Sequence, residues 1–196
     1  MTKDDRTLGF YTQEASAYAS RGDYLNLKHI EAFLALLPAG AAILELGCGA
    51  GRDSEFMIGR GFQVRPTDGT PELAKAAEQR LGIPVATLLF ADLDETDTCD
   101  GIWANACLLH VPGEDLPGIL SKIHAALKTG GVFYASFKAG EAEGRDQFDR
   151  YYNYPSESTL RGWYAASDWA DVTVTAERGG GYDGRPTDWL HVVAIR

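Results

Sequence analysis

The stretch ILELGCGAGRDSEF, residues 43–56, sets Gly47, Gly49 and Gly51 between an apolar run and a charged segment of helical type. Alternate glycines admit positive φ and leave no Cβ between backbone N–H groups and a bound molecule, so such a turn can approach a ligand closely. The neighbouring carboxylates indicate which ligand. Glu45 stands two residues before the first glycine, a place that disfavours a dinucleotide's pyrophosphate and favours a cation. Asp68 closes the next apolar run, 21 residues after Gly47, where a carboxylate accepts hydrogen bonds from ribose hydroxyls. Asp92, in LLFADL, follows the third run and is placed to border an adenine edge. The dinucleotide pattern G-x-G-x-x-G fails, with Arg52 at its sixth position and the third glycine one residue early; the P-loop fails for want of G-K-[ST]. The chemistry indicated is the binding of a nucleoside that bears cationic groups.

Each of these residues also has a plainer role open to it. Glu45 can accept N–H bonds from the loop, and Asp68 can cap the helix announced by Thr70-Pro71. Asp94, Glu95 and Asp97 compete with Asp92 in one acidic loop, and Arg52 can be an ion-pair partner that steadies the turn.

Apolar runs alternate with helical periodicity, the pattern of an α/β domain with a largely parallel sheet. Strands are expected at Ala41–Leu46, Gln63–Thr67, Val85–Phe90, Gly101–Ala106, Val132–Phe137, Val172–Ala176 and Leu190–Ile195, the last two pairing antiparallel. Asp23 is the expected N-cap of a helix whose Leu27, Ile30, Phe33, Leu34 and Leu37 share a face, stopped by Pro38 and Gly40. A helix follows the glycines from about Asp53, and another opens at Thr70-Pro71-Glu72 and ends at Gly82. Leu116, Ile119, Leu120, Ile123 and Leu127 form an amphipathic stripe. Residues 139–154 read as loop.

The 196 residues fit one domain, with 45% hydrophobic content and a net charge of −10. That balance disfavours a nucleic-acid partner, which needs a basic footprint. No apolar run approaches the roughly 20 residues needed to cross a bilayer, and the opening MTKDDRTLGFYTQEASAY lacks a signal core, so a cytoplasmic location is expected. Cys48, Cys99 and Cys107 form no C-x-x-C pair, so neither a metal site nor a disulfide framework is expected.

ILELGCGAG, Asp68, FADLD, CDGIWANACLLHVP and LKTGGVFYASFK, in that order, resemble the motif set of class I S-adenosylmethionine-dependent methyltransferases, over roughly Tyr11 to Lys138. The LLHVP and SFK phrases are similar to small bacterial members, including the tellurite-resistance type. The resemblance implies a Rossmann-like sheet of seven strands in the order 3-2-1-4-5-7-6, the last antiparallel. It also implies S-adenosylmethionine as cofactor and methyl transfer to a small-molecule acceptor. By the same resemblance Glu45, Gly47, Cys48 and Gly49, beside Arg52, lie under the methionine half, Asp68 and Gly69 hold the ribose, and Asp92 with Leu93 meets adenine. Asn105 and Ala106 would wall the sulfonium, and Tyr11 and Tyr18 would cover the cofactor from the leading helices, within residues 1–37. The family's usual glycine two residues before the ribose acid is Pro66 here.

Methyl transfer needs an aligned acceptor, and a base only if that acceptor must lose a proton. His110, just past the fourth strand, is the catalytic candidate near the sulfonium; the plainer reading is a loop histidine under the next helix. His124 is expected on a surface, and His191 in the last strand as structural. The insertion 139–155 carries Arg145, Arg150, Tyr151, Tyr152 and Tyr154, and is expected to form a lid with Arg150 and Tyr152 toward the acceptor; a solvated loop is the alternative. A module that binds S-adenosylmethionine or S-adenosylhomocysteine without catalysis, and an NAD-linked oxidoreductase with a variant glycine loop, remain open at this point, as does the oligomeric state.

Overall fold

The computed structural model describes residues 3–20, 25–180 and 184–196. The chain opens with α1 (Asp5–Ala19), whose N-cap Asp4 accepts from the Thr7 N–H, and α2 (Leu27–Leu34), which buries Ile30, Phe33 and Leu34. The expected cap Asp23 lies outside the described residues. Leu27, the first residue of this helix, is exposed.

The alternation that follows is β1 (Ala42–Leu46), α3 (Arg52–Gly59), β2 (Gln63–Asp68), α4 (Pro71–Leu81), β3 (Ala86–Thr87), β4 (Cys99–Ala104), α5 (Leu116–Ala126) and β5 (Leu127–Lys138). A two-stranded ribbon, β6 (Gly144–Arg145) and β7 (Tyr151–Tyr152), and α6 (Glu157–Tyr164) precede the closing hairpin of β8 (Asp171–Gly180) and β9 (Pro186–Ile195). Thr70 and Gly82 bracket α4 as expected, with Gly82 in the left-handed conformation.

The seven-stranded sheet has the order β3-β2-β1-β4-β5-β9-β8. With the ribbon strands counted in chain order, the expected sixth and seventh strands become β8 and β9, and the sheet is otherwise as anticipated. Pairings from β3 to β5 are parallel, and β9 runs antiparallel to both β5 and β8.

Two differences have clear causes. The third strand shrinks to two residues because only Thr67 and Asp68 of β2 offer partners to it; Leu88–Phe90 leave the ladder instead. Leu127 starts β5 rather than ending α5, yet it is fully buried, so the hydrophobic stripe is right and the element boundary is not. α6, anchored by Ser156 accepting from Thr159 N–H, lies beyond the stretch that reads as loop. Leu160 and Tyr164 of α6 join Leu120, Ile123 and Phe133 in one core on one face of the sheet, while Ile30, Phe33, Trp103 and Tyr134 fill the other.

Candidate active site

β1, β2 and β4 end at one edge, and their exits form a crevice roofed by α1. Gly47 and Gly49 both have positive φ (68° and 56°). Protein atoms crowd them closely: a Cβ on Gly47 would stand 2.5 Å from Cβ of Cys107, and one on Gly49 would stand 3.0 Å from the ring of Tyr18. A Cβ on Gly51 would meet Leu81 and Ala77 of α4, so this third glycine serves helix packing. The turn therefore lets Tyr18 lie on the backbone floor, closing it from above.

Asp68 is buried and bridges two elements. One carboxylate oxygen accepts from Gly49 N–H at 2.9 Å, the other from Thr70 N–H at 2.8 Å. Asp68 thus fixes the backbone of Thr70, the N-cap of α4, without capping the helix itself, and lines the crevice. Burial raises Asp68 to about 6, against the pull of these N–H donors. Glu45 is buried and accepts from the Ser54 hydroxyl; burial, and then the nearby Asp53, push it well above the ordinary carboxylate range. Asp53 is raised too, chiefly by burial, while accepting from Trp103 Nε1 at 2.8 Å and Asn105 Nδ2 at 3.1 Å. Arg52 donates to the carbonyls of Tyr18 and Ala19, tying the end of α1 to the glycine turn.

Asn105 is held from two sides, since its Oδ1 also accepts from the Ser136 hydroxyl at 2.9 Å. That hydroxyl in turn accepts from the N–H of Ala106 at 2.8 Å. Ala106 has φ of 53°, a strained conformation for a residue with Cβ, and such strain persists where the surroundings over-determine it.

His110 sits at the centre of the roof. Its Nδ1 is 2.6 Å from the Tyr151 carbonyl and its Nε2 is 3.0 Å from the Tyr11 hydroxyl. A carbonyl only accepts, so Nδ1 carries the proton and Nε2 accepts from Tyr11. Burial lowers His110 to about 4, so the ring is neutral at physiological pH. Tyr11 also receives Arg150 Nη1 at 3.2 Å. Arg150 itself is 2% exposed and directs Nε and Nη2 to Asp146 Oδ2 at 3.0 and 2.7 Å. Its guanidinium lies among the rings of Phe10, Tyr11, Phe148 and Tyr152. The segment 139–155 is further tied to α1 by Arg145–Asp4 and by Tyr151 N–H to Thr7.

The crevice has two joined compartments. The first pairs Asp68, Gly69 and Gly49 with an apolar slot of Leu8, Leu88, Leu89 and Phe90. The second reaches from Glu45, Cys48 and Arg52 past Lys138, Arg150 and Tyr152 to His29 and His191. Tyr11, Tyr18, Gly47, Asn105, Ala106 and His110 line both.

One expectation needs correction. Asp92 is exposed and Leu93 is buried in the core; neither lines the crevice. A short 3₁₀ turn, Phe90–Asp92, points the acid outward and leaves the slot to the apolar residues just before it. Arg150 and Tyr152 both line the second compartment, with Asp146 taking the fork of the Arg150 guanidinium. Leu8, Leu88, Leu89 and Phe90 line the crevice without having been expected there; Leu88–Phe90 end an apolar run expected as strand, and Leu8 carried no signal.

A family model described as a methyltransferase domain matches residues 18–174. The chain belongs to that family. Domains of this family take their methyl group from S-adenosylmethionine. Among curated relatives, a trans-aconitate 2-methyltransferase of Variovorax paradoxus (strain S110) is 29% identical over 72% of this chain and 51% of its own length. A ubiquinone biosynthesis O-methyltransferase of Xanthomonas axonopodis pv. citri (strain 306) is 34% identical over 52% of this chain and 44% of its own. The methyltransferase domain thus spans about half the length of the curated relatives it matches. In fold it is similar to a Burkholderia thailandensis 1,6-didemethyltoxoflavin-N1-methyltransferase with bound 1,6-didemethyltoxoflavin and S-adenosylhomocysteine, with a TM-score of 0.76 and 22% identity, covering 98% of this chain and 88% of that one. None of these three is named for tellurite resistance.

The methyltransferase domain's own residues fit the donor. Burial without a counter-charge holds Glu45 and Asp68 toward their protonated forms; a bound ammonium and sulfonium would relieve that cost, whereas a diphosphate would add to it. Among the described residues, no helix is long and apolar enough to cross a membrane.

Proposed function

We propose that this domain transfers a methyl group from S-adenosylmethionine to a small acceptor that bears a carboxylate. The observation that carries the reading is the shared wall: six residues line both compartments, so a donor that runs from the first into the Glu45–Cys48 end of the second meets an acceptor in the rest of the second at Tyr11, Asn105 and His110. In this reading the first compartment takes the adenosine, with Asp68 on the ribose and the Leu88–Phe90 run on the base. Glu45, Cys48 and Gly49 lie under the methionine half, and residues 139–155 with α1 form the lid.

S-adenosylmethionine supplies a methyl group on a cationic sulfur that leaves as a neutral thioether. The chain has to align the acceptor and exclude water, which can account for several kcal/mol of barrier lowering. The His110 lone pair is already engaged by the Tyr11 O–H, so His110 acts by fixing Tyr11 and not as a free general base. An acceptor that arrives anionic needs no base, and a carboxylate meets that condition at neutral pH. Lys138 lines the acceptor compartment, its ammonium 4.3 Å from the centre of the Tyr152 ring, and supplies a positive charge there. The relative named for trans-aconitate supports the same acceptor class.

The test is a screen with donor labelled in the methyl group, offered small mono-, di- and tricarboxylates beside phenols and amines. Label in base-labile methyl esters supports the proposal; transfer confined to phenols or amines overturns the acceptor class. Binding of S-adenosylhomocysteine without transfer to any of these would leave a binding module.

A further inference from the structure

The far end of the acceptor compartment is built by residues that no motif joined. His29 comes from α2, Glu177 from β8 and His191 from β9, yet one ligand atom from each lies within 4.8 Å of the others. The β8–β9 register sets Thr175 opposite His191 and Glu177 opposite Trp189, so Glu177 and His191 are diagonal neighbours on one face. α2 crosses that face and presents His29 to both.

We propose that His29, Glu177 and His191 bind a divalent transition-metal ion of the zinc type, with open positions toward the acceptor compartment. Two imidazoles and one carboxylate are a donor set suited to such an ion, and three protein ligands leave room for a water or a substrate oxygen. The spacing fits in part already. His29 Nε2 and Glu177 Oε2 are 3.1 Å apart, the separation of two ligands that subtend about 95° at an ion about 2.1 Å from each. His191 Nδ1 is 2.8 Å from the buried Tyr134 hydroxyl, which leaves Nε2 as the ligand and supplies the outer hydrogen bond that ligating histidines usually have. Glu177 already draws a cation, the Lys28 ammonium at 2.5 Å.

The two imidazoles now stack, with centroids 3.7 Å apart and planes 13° from parallel. In that pose both lone pairs cannot aim at one point, so ligation turns one ring. His29, on α2 at the rim, is the one that turns, because Tyr134 holds His191. Losing one stacked pair is a small cost against the binding energy of a three-ligand metal site. Resting on the acceptor reading above, the ion's open positions would hold a second carboxylate of the acceptor.

The test uses the full chain, stripped with a chelator and titrated with Co²⁺ as a spectroscopic probe and Zn²⁺ by calorimetry. The expected result is visible ligand-field absorption, displaced by Zn²⁺, with one site per chain. Glu177→Gln and His191→Ala should each weaken binding roughly tenfold or more, with thermal unfolding as the check on folding. Lys28→Ala should strengthen it, since its ammonium competes for Glu177. Absence of a Co²⁺ spectrum, a thiolate charge-transfer spectrum, or unchanged affinity in the ligand variants overturns the site. S-adenosylhomocysteine binding, measured separately, reports whether the methyltransferase reading itself holds.

Discussion

The Tyr11 hydroxyl stands 3.0 Å from Nε2 of His110, and the carbonyl 2.6 Å from Nδ1 leaves that contact only one direction. Tyr11 donates and His110 accepts. Arg150 then donates to the same Tyr11 oxygen, so a helix at the start of the chain, a turn after β4 and the segment after β5 meet at one hydroxyl. This junction closes the roof where the two compartments join.

Tyr11→Phe removes the donor to His110 and the acceptor of Arg150 together. Two buried groups lose a partner, at about 1–3 kcal/mol each before relaxation. Thermal unfolding should show a clear loss of stability. Methyl transfer should fall mainly through kcat if Tyr11 aligns the acceptor, and through the donor's KM if it only covers the cofactor.

Arg150→Ala breaks a buried ion pair and leaves Asp146 without its partner, an expected loss of about 3 kcal/mol. Arg150→Lys should recover little of it, because an ammonium cannot reproduce the fork to Asp146 and the contact with Tyr11 at once. Urea unfolding of the two variants checks this.

Gly47→Ala places a methyl against the Cβ of Cys107 and forces φ of 68° on a residue with a side chain. The left-handed conformation costs about 1–2 kcal/mol and the clash another 1–3. A destabilised protein with weakened cofactor binding is expected by thermal unfolding and calorimetry.

The pH behaviour has two opposing parts. Asp68 is raised to about 6 by burial, so the folded, ligand-free chain binds its proton more tightly than the unfolded chain; this contribution favours the fold at low pH and is lost as pH rises from about 4 to about 6. His110 is lowered to about 4 by burial; its contribution is fully present above the ordinary histidine range and is lost as pH falls toward 4. The acid-side stability profile of Asp68→Asn should therefore fall more steeply with decreasing pH than that of the native chain. Hydrogen bonds from a ribose to the charged carboxylate favour deprotonation, so cofactor affinity should weaken as pH drops below 6 and be nearly flat there in Asp68→Asn. Calorimetry across pH 5 to 8 reads both.

Much of this was legible in the sequence because local rules agreed. The glycine turn, the Thr70–Gly82 helix and the seven strands each carried their own punctuation, and the sheet joined them as the motif order implied. What stayed hidden depends on distance along the chain. Nothing near Arg150 tells that Tyr11, 139 residues away, meets its remaining edge, and His29, Glu177 and His191 have no spacing that announces a cluster. Asp92 misled for a different reason: an acid beside an apolar run reads the same whether the following turn faces it into the crevice or out to water.

The methyltransferase reading requires a crevice that takes an adenosyl amino acid in preference to a dinucleotide. The most direct measurement is calorimetric titration of the full chain with S-adenosylhomocysteine and, separately, with NAD at pH 7.5. Saturable binding of S-adenosylhomocysteine with a Kd on the order of micromolar, weakened at least tenfold in Asp68→Asn and with no heat from NAD, is the predicted result. Binding of NAD, or no binding of S-adenosylhomocysteine by the folded chain, would contradict it.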